Sequence, residues 1–360
     1  MSNTAVTPLS DAIGSLMSTV RSIEAEISLP MHVDDVEGRR FLLRMLSASV
    51  DTFVEHADAD RPRFHHAEGP TRKMFADCPD TDYLRAPIRL GPGRAYRLSG
   101  RIPEGVLYMG VLLYGRGGRV ARSLTDRELG CDAEGRFEMV ISTEPHEGTW
   151  LEAEGDENAV MVRQYFLSRD AEPTVEIELT LLGEATPPTT LDADWMAGQL
   201  QRSERMLEAI FSRTLQGYKL ASVAAVNHFI EVPAKALFPT PDNDYRACWF
   251  RLEDDQVLLV RGQLPPARYF GLSLCNAWME SFDYLNHPRS NLNHSQIVAD
   301  DAGKFEVVLA HRDPGHPNWV DIAGHGAGFL LARYLLLDGE PPGLETHVCS
   351  LAEFADHRQM

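Results

Sequence analysis

The chain has 360 residues, of which 44% are apolar, so it is long enough for two domains and can bury substantial cores. Its formal net charge of −19 repels the phosphates of nucleic acids and of anionic membranes, so neither is an expected partner. The start of the chain resembles no export signal, and no apolar run approaches the ~20 residues of a membrane helix. The five cysteines include no C-x-x-C pair. Together these features predict a reduced, cytoplasmic protein.

The first 70 residues are predicted to form a helical region. Apolar residues recur at helical spacing in two stretches, the first of which has Ser10 as a plausible N-cap. A polar loop, "DADRPRFHHAEGP", follows at residues 58–70 and is bounded by Pro and Gly. The histidine-rich stretch at 56–66 is interpreted as a solvated connection.

From about Tyr83 the apolar period changes from helical spacing to two. Short runs separated by Gly, Pro and Asp turns predict an antiparallel sandwich over residues 71–187. Residues 188–236 predict a helical linker, whose apolar stripe is expected to dock between domains and not to line a cofactor site. The strand pattern resumes over residues 237–348, and residues 349–360 are expected to be a tail.

Two stretches of the chain resemble each other. "PDTDY" at 79–83 matches "PDNDY" at 241–245, and the offset of 162 grows to 169 by the tyrosines at 165 and 334. Such a repeat indicates two similar structural units. The predicted fold is therefore mainly β, with a helical N-terminus and linker and two tandem antiparallel, jelly-roll-like β-sandwich units. The aspartates of the repeated motif are expected to hold turns by bonding their own backbone.

The second unit resembles a known family. The run from "YFGLSLCNAW" to "FLLARYLL", with Asn318–Trp319 and Arg333–Tyr334, and the segment "PDTDYLRAPI" are similar to the domain of unknown function 1214 family. The resemblance implies tandem jelly-roll-like sandwiches. It implies no established activity, although carbohydrate-directed roles have been considered for that family. This chain departs from it in an enlarged polar insert, "FDYLNHPRSNLNHSQ", at 282–296.

Features present in only one copy are the candidates for function. Histidines concentrate in the second unit, and alternate residues of the run 269–280 turn from apolar to polar at Asn276, Trp278 and Glu280. Emergence into solvent and the mouth of a pocket both explain this change. The polar insert is consistent with either a solvated loop or a binding loop.

The remaining motifs carry weaker signals. "HRDPGHPNW" could supply metal ligands, but no second cluster completes an established metal signature, so no metal is expected. "GHGAGF" at 324–329 opens no helix as a phosphate loop would. No G-x-S-x-G elbow singles out a serine nucleophile.

The leading hypothesis is a cytoplasmic, cofactor-free enzyme, of hydrolase or lyase type, that acts on a small uncharged hydroxylated or alicyclic molecule by histidine/carboxylate acid–base chemistry in the second unit. The alternatives are a non-catalytic carbohydrate or small-molecule binding module and an interaction protein that forms homo-oligomers through its helices. The predicted catalytic residues are His294, His311, Asp283 and Asp313. The predicted substrate-binding residues are Asn276, Trp278, Glu280, Tyr284, His287, Asn291, Trp319, His325 and Arg333.

Overall fold

The computed structural model describes residues 8–28, 32–69, 71–187, 192–232 and 240–357. Three of the four boundaries predicted from the sequence adjoin or fall on residues 70, 188–191 and 233–239, which lie outside the described residues, as do residues 358–360 of the predicted tail. The fourth boundary, between residues 348 and 349, falls within the strand Glu345–Ser350. Within the described part, no helix is both long and apolar enough to span a membrane.

The chain divides into two compact units that are not continuous in sequence. Unit 1 comprises residues 1–68, 82–164 and 173–213, and unit 2 comprises residues 69–81, 165–172 and 214–360. The second unit therefore includes two short segments, 69–81 and 165–172, that precede its main body in the chain.

The helices are α1 (Pro8–Glu26), α2 (His32–Val50), α3 (Ala193–Ala224) and α4 (Leu351–His357). A π-helical turn, Asp51–Glu55, continues α2. The predicted N-terminal and linker helices are thus present, and the predicted tail, 349–360, contains the end of the last strand and the short helix α4. α1 buries Ala12, Leu16 and Ile23, whose spacing places them on one side of a helix.

The strands of the first half, in chain order, are β1 (His65–Glu68), β2 (Thr81–Pro87), β3 (Ala95–Arg101), β4 (Tyr108–Tyr114), β5 (Val120–Thr125), β6 (Arg136–Ser142), β7 (Trp150–Glu152), β8 (Ala159–Tyr165) and β9 (Glu176–Leu182). Those of the second half are β10 (Ile230–Glu231), β11 (Asn243–Arg251), β12 (Gln256–Gln263), β13 (Ala267–Cys275), β14 (Asn291–Asn293), β15 (Lys304–Ala310), β16 (Trp319–Asp321), β17 (Ala327–Leu337) and β18 (Glu345–Ser350).

The two halves have the same topology. A five-stranded sheet has the order β1-β2-β8-β4-β5 in the first half and β10-β11-β17-β13-β14 in the second. A four-stranded sheet has the order β7-β6-β3-β9 in the first and β16-β15-β12-β18 in the second. In the five-stranded sheet of the second half every pairing is antiparallel. In the four-stranded sheets β3 pairs antiparallel with β6 and β9, and β12 with β15 and β18, whereas β6 with β7 and β15 with β16 are parallel. The prediction of a mainly β fold with two similar sandwich units is confirmed.

The repeat has an offset of 161, not 162, at strands β4 and β13. Met109, Val111 and Leu113 of β4 lie in the core of the first sandwich, and Phe270, Leu272 and Leu274 of β13 lie in the core of the second. Extending the offset of 162 from the "PDTDY" motif to these strands would place Leu112 opposite Leu274, which is wrong by one residue. The correction matters because a one-residue slip moves every side chain of a strand to its other face.

Candidate functional site

The outer face of the five-stranded sheet in unit 2 is polar and buried. Because side chains alternate along β13, Tyr269 and Ser273 point away from the sandwich core that holds Phe270 and Leu272. Both outward residues are nevertheless 1% exposed. They make hydrogen bonds to residues of the segment 69–81 and to Arg333 of β17. This face therefore carries a polar layer outside the hydrophobic core.

Ser281 lies between a carboxylate and an ammonium group. Its hydroxyl donates to Asp77 Oδ2 at 2.7 Å, and its backbone N–H donates to Asp77 Oδ1 at 3.0 Å. The ammonium group of Lys73 donates to Ser281 Oγ at 3.1 Å and to the carbonyl of Phe282 at 2.5 Å, and it lies 4.0 Å from the ring centroid of Tyr284. Burial raises the pKa of the Asp77 carboxyl, while the charge of Lys73 and the hydrogen bonds from Ser281 oppose that shift.

The backbone around Ser281 adopts unusual conformations. Phe75, Ala76 and Met279 have φ angles of 57°, 56° and 56°, in the left-handed region that residues with a Cβ rarely occupy. The N–H of Ala76 donates to the carbonyl of Met279 at 2.7 Å, so the two strained turns hold each other. Such strain tends to concentrate at functional sites, where the surrounding structure enforces it.

Arg333 joins the same layer from β17. Its guanidinium donates to Ser273 Oγ at 2.8 Å and to the carbonyl of Ala76. Arg333 was predicted to bind substrate, and the structure places it 4% exposed beside the strained segment. Its charge also favours the ionised form of Asp77. Arg333 therefore fixes the position of the segment that carries Asp77.

Asp80 accepts three side-chain hydrogen bonds from unit 2. The Tyr269 hydroxyl donates to its Oδ2 at 2.9 Å, and the side-chain amides of Asn291 and Asn293 donate to the same oxygen at 3.0 Å each. The sequence predicts that the aspartates of the repeated motif hold turns in the backbone. In Asp80 the carboxylate instead bonds distant residues, and Asn291, predicted to bind substrate, is one of them.

The predicted catalytic residues lie in different local settings. Asp283 is exposed and accepts from the Asn286 side chain at 2.7 Å, and Asp313 is exposed and accepts from the N–H of Gly315 at 2.8 Å. His294 accepts at Nδ1 from the N–H of Phe270 at 3.2 Å, and burial lowers its pKa. In the described part of the chain, no hydrogen bond or ion pair joins any of His294, His311, Asp283 and Asp313 to another of the four.

Asn276, Trp278 and Glu280 form a buried turn after β13. The Asn276 Oδ1 accepts from the N–H groups of Trp278 and Glu280 at 3.0 and 3.1 Å, and its Nδ2 donates to Glu280 Oε2 at 2.9 Å. All three residues are at most 1% exposed. Emergence into solvent is therefore excluded as the reason for their polarity. The turn leads directly into Ser281, so its hydrogen bonds hold the backbone that carries the serine.

The other predicted binding residues surround the turn or lie nearby on unit 2. His287 Nδ1 is 3.0 Å from Asp321 Oδ2 at the surface. His325 is buried, stacks on Phe282 at 4.2 Å between ring centroids and donates from Nδ1 to backbone carbonyls. Trp319 donates from Nε1 to the carbonyl of Ala310 at 3.2 Å. The assignment of these residues to substrate binding stays a prediction.

Lys73, Asp77 and Ser281 escaped the sequence interpretation. Lys73 and Asp77 lie in a polar stretch that precedes the first recognised strand, where charged residues are usually solvated. Ser281 follows a run whose polar end was noted, but it lies in no elbow motif. The sequence offers one indication of these residues, which is their nearness to two features noted above. Lys73 and Asp77 precede the motif at 79–83, and Ser281 precedes the insert at 282–296.

The comparisons with known proteins support the fold and leave the activity open. No family model matches the chain, and no curated protein matches it. A solved structure of an uncharacterized protein from Burkholderia cenocepacia is similar to it, with 26% identity over 96% of this chain and 97% of that chain and a TM-score of 0.88. The VPA0106 protein from Vibrio parahaemolyticus, at 11% identity over 91% and 100% of the two chains and a TM-score of 0.51, shares the fold alone.

Proposed function

We propose that the protein is a cytoplasmic enzyme that hydrolyses an ester of a small, uncharged, hydroxylated or alicyclic molecule, with Ser281 of unit 2 as its nucleophile. The observation that supports this proposal is the Ser281 hydroxyl between the Asp77 carboxylate at 2.7 Å and the Lys73 ammonium at 3.1 Å. The five cysteines, all in the described part of the chain, form no disulfide, which supports a reducing compartment. The proposal keeps the second unit as the functional half and replaces the histidine of the sequence-based hypothesis with a serine.

The geometry assigns one role to each of the three residues. Asp77 accepts the Ser281 proton as Oγ attacks the acyl carbon and the C–O bond forms; the raised pKa of Asp77 makes it a stronger base than an ordinary carboxylate. The leaving alkoxide takes that proton as its bond to the acyl carbon breaks. Water, deprotonated by Asp77, then cleaves the acyl-serine ester and restores the free hydroxyl. Lys73 stabilises the negative charge that develops beside Oγ.

The near balance of buried charge favours an uncharged substrate. Among the buried residues of this layer, Lys73 and Arg333 are cationic, and Asp77 and Glu280 carry carboxyl groups. A charged ligand entering this layer would lose its hydration without meeting an excess of opposite charge. Neutral molecules with hydroxyl groups could replace the hydrogen bonds that they disturb.

A non-catalytic binding module is the second candidate, and burial is the observation that favours it. Ser281, Asp77 and Lys73 are each at most 4% exposed. A substrate must therefore displace a covering group before it meets the hydroxyl. Tyr284, half-buried in the polar insert and lying over Lys73, is the group that we expect to move.

The test is covalent labelling with a fluorophosphonate probe, together with hydrolysis of short-chain p-nitrophenyl esters. The wild type should be labelled at Ser281, and Ser281→Ala should abolish both labelling and hydrolysis. Asp77→Asn should slow hydrolysis by about 10²-fold or more, the range for loss of a general base. Ser290→Ala is the matched control, because Ser290 is buried in the same unit and its hydroxyl has no partner among the described residues.

Two outcomes would overturn the enzyme proposal. One is a wild type that is neither labelled nor active, and the other is a Ser281→Ala protein that retains labelling while folded, judged by near-UV circular dichroism. If the wild type is inert but one neutral metabolite raises its melting temperature and Lys73→Met or Tyr284→Ala removes that shift, the binding module is the function.

A further inference from the structure

Three side chains of unit 1 with metal-ligating atoms lie close together. One ligand atom each from Asp51, His56 and His65 lies within 4.8 Å of the others. His56 Nε2 is 3.5 Å from Asp51 Oδ1. The rings of His56 and His65 stack with 3.7 Å between centroids and 6° between planes. Two imidazoles and a carboxylate on one side are a ligand set for transition metals.

Backbone structure brings two of these residues together. The π-helical turn Asp51–Glu55 ends α2, and the N–H of His56 donates to the carbonyl of Asp51 at 2.9 Å. This hydrogen bond joins residues five apart in the chain and holds Asp51 and His56 side by side. π-helical turns occur often at functional sites. His65 joins them as the first residue of β1.

His65 provides the second, independent observation. Its Nδ1 and Nε2 are both withdrawn from solvent and make no well-formed hydrogen bond among the described residues, although the backbone of Arg63 lies beside the ring. Buried polar atoms without well-formed hydrogen bonds are rare in native proteins, and an ion is one of their ordinary explanations.

The surroundings of the His65 ring favour its neutral form. Burial, helped by the charges of His56 and Arg85, lowers the pKa of His65 to about 4, although Asp51 and the nearby carbonyl of Arg63 oppose the shift. A neutral imidazole offers a lone pair, whereas a protonated one does not. Arg85 pairs with His65 across β1 and β2, where its charge would favour a hydroxide or another anion in an open coordination position.

We propose that Asp51, His56 and His65 bind one divalent transition-metal ion of the zinc class. Metal–nitrogen bonds of 2.0–2.1 Å in a tetrahedral site require ligand atoms about 3.3 Å apart, so binding draws the three groups together and tilts the two rings out of their parallel stack. Three protein ligands leave a fourth position for water, the pattern of reactive and not of structural zinc sites. The site lies in unit 1 and is independent of the Ser281 proposal.

The full-length protein, freed of metal by dialysis against a chelator, is titrated with Co²⁺ and then with Zn²⁺. One Co²⁺ per chain should bind with a visible absorption band, and Zn²⁺ should displace it. His65→Ala and His56→Ala should each weaken Co²⁺ binding by more than about tenfold. Changing a residue that merely orients a ligand already weakens metal binding about tenfold, and losing a ligand should cost more. His66→Ala is the matched control, because His66 is the exposed neighbour on the same strand.

An NMR measurement on the wild type does not depend on how the variants fold. The imidazole resonances that the variants assign to His56 and His65 should shift when Zn²⁺ is added, and those of His66 should not. Absence of stoichiometric Co²⁺ binding by the wild type would overturn the proposal. Equal loss of binding in His66→Ala and His65→Ala, or imidazole resonances indifferent to Zn²⁺, would overturn it as well.

Discussion

Asp60 of unit 1 shows how one buried carboxylate can stabilise a loop. It is 7% exposed and accepts hydrogen bonds from the Thr186 N–H at 2.8 Å and the Arg89 guanidinium at 3.0 Å, as well as from Arg94 and the Thr186 hydroxyl. The Thr186 and Arg94 hydrogen bonds hold the pKa of Asp60 well below its ordinary value, although burial acts in the opposite direction.

Asp60→Asn should therefore lower the free energy of unfolding at pH 7 by about 3 kcal/mol, because it leaves buried donors without a charged acceptor. A carboxyl with a depressed folded-state pKa stabilises the protein above the unfolded-state pKa, near pH 4, and loses that contribution as pH falls further. Urea unfolding from pH 7 to pH 2.5 should thus show that the wild type has a larger free energy of unfolding than Asp60→Asn at pH 7, and that this difference shrinks below about pH 4. Asp58→Asn, at an exposed ion pair with Arg61, should change stability by under about 1 kcal/mol. Equal stability of Asp60→Asn and wild type at pH 7 would contradict this account.

At the scale of the strand, β4 and β13 each contain a tyrosine whose ring packs against the glycine two residues later. A Cβ on Gly271 would lie 2.2 Å from the Tyr269 hydroxyl oxygen, and one on Gly110 would lie 2.5 Å from that of Tyr108. Neither tyrosine is exposed, so neither ring can swing into solvent. In unit 2 the Tyr269 ring also carries the hydroxyl that bonds Asp80.

Gly271→Ala should lower the free energy of unfolding by about 1–3 kcal/mol, since the added methyl group forces the Tyr269 ring away from Asp80. Gly110→Ala should act in the same direction in unit 1. Gly343→Ala is the control, because a Cβ there meets no atom within 4 Å, and Ala in place of a glycine in such a position is neutral or mildly stabilising. Urea denaturation of the three variants decides the matter: a Gly271→Ala protein as stable as Gly343→Ala would show that the ring is free to move.

The same pair of strands shows what the sequence could and could not predict. Alternating apolar residues predict the strands, and their recurrence predicts two sandwiches, because periodicity depends on local pattern. The offset of 162 and the correct 161 both align apolar residues in β4 and β13, so composition alone could not choose the register. The Tyr-x-Gly pair would have chosen it, since Tyr108 and Gly110 match Tyr269 and Gly271.

The sequence marks the turn that leads to Ser281, but it does not indicate the residues that contact the serine. The turn after β13 stands out because Asn276 and Glu280 are polar at the end of an apolar strand. Its partners Lys73 and Asp77 lie about 200 residues earlier, in a stretch that reads as solvated loop. Only tertiary contacts distinguish a buried, hydrogen-bonded lysine from an exposed one, so no local pattern could have joined them to Ser281.

At the scale of the whole molecule, unit 2 is built from separate stretches of the chain, and this predicts whether a fragment that lacks some of them can fold. Its main body begins at residue 214, yet the unit includes residues 69–81 and 165–172. Without those segments, Ser281 lacks Asp77, Asn291 and Asn293 lack Asp80, and Arg333 lacks the Ala76 carbonyl. Each buried group left unpaired costs about 1–3 kcal/mol, so these four groups together cost about 4–12 kcal/mol, which is comparable with the whole native stability of about 5–15 kcal/mol.

A fragment of residues 214–360 should therefore fail to fold, although it contains every strand of the second sandwich. The expected result is a flat near-UV circular dichroism spectrum and no cooperative transition in urea, in contrast to the full chain. A double replacement, Asp77→Ala with Asp80→Ala, in the full chain is the companion experiment, since it removes the same partners without cutting the backbone and should destabilise the second sandwich most. If the fragment instead unfolds cooperatively with a midpoint near that of the full chain, the hydrogen bonds of the segment 69–81 would contribute little to stability. They would then serve mainly to position Asp77 against Ser281.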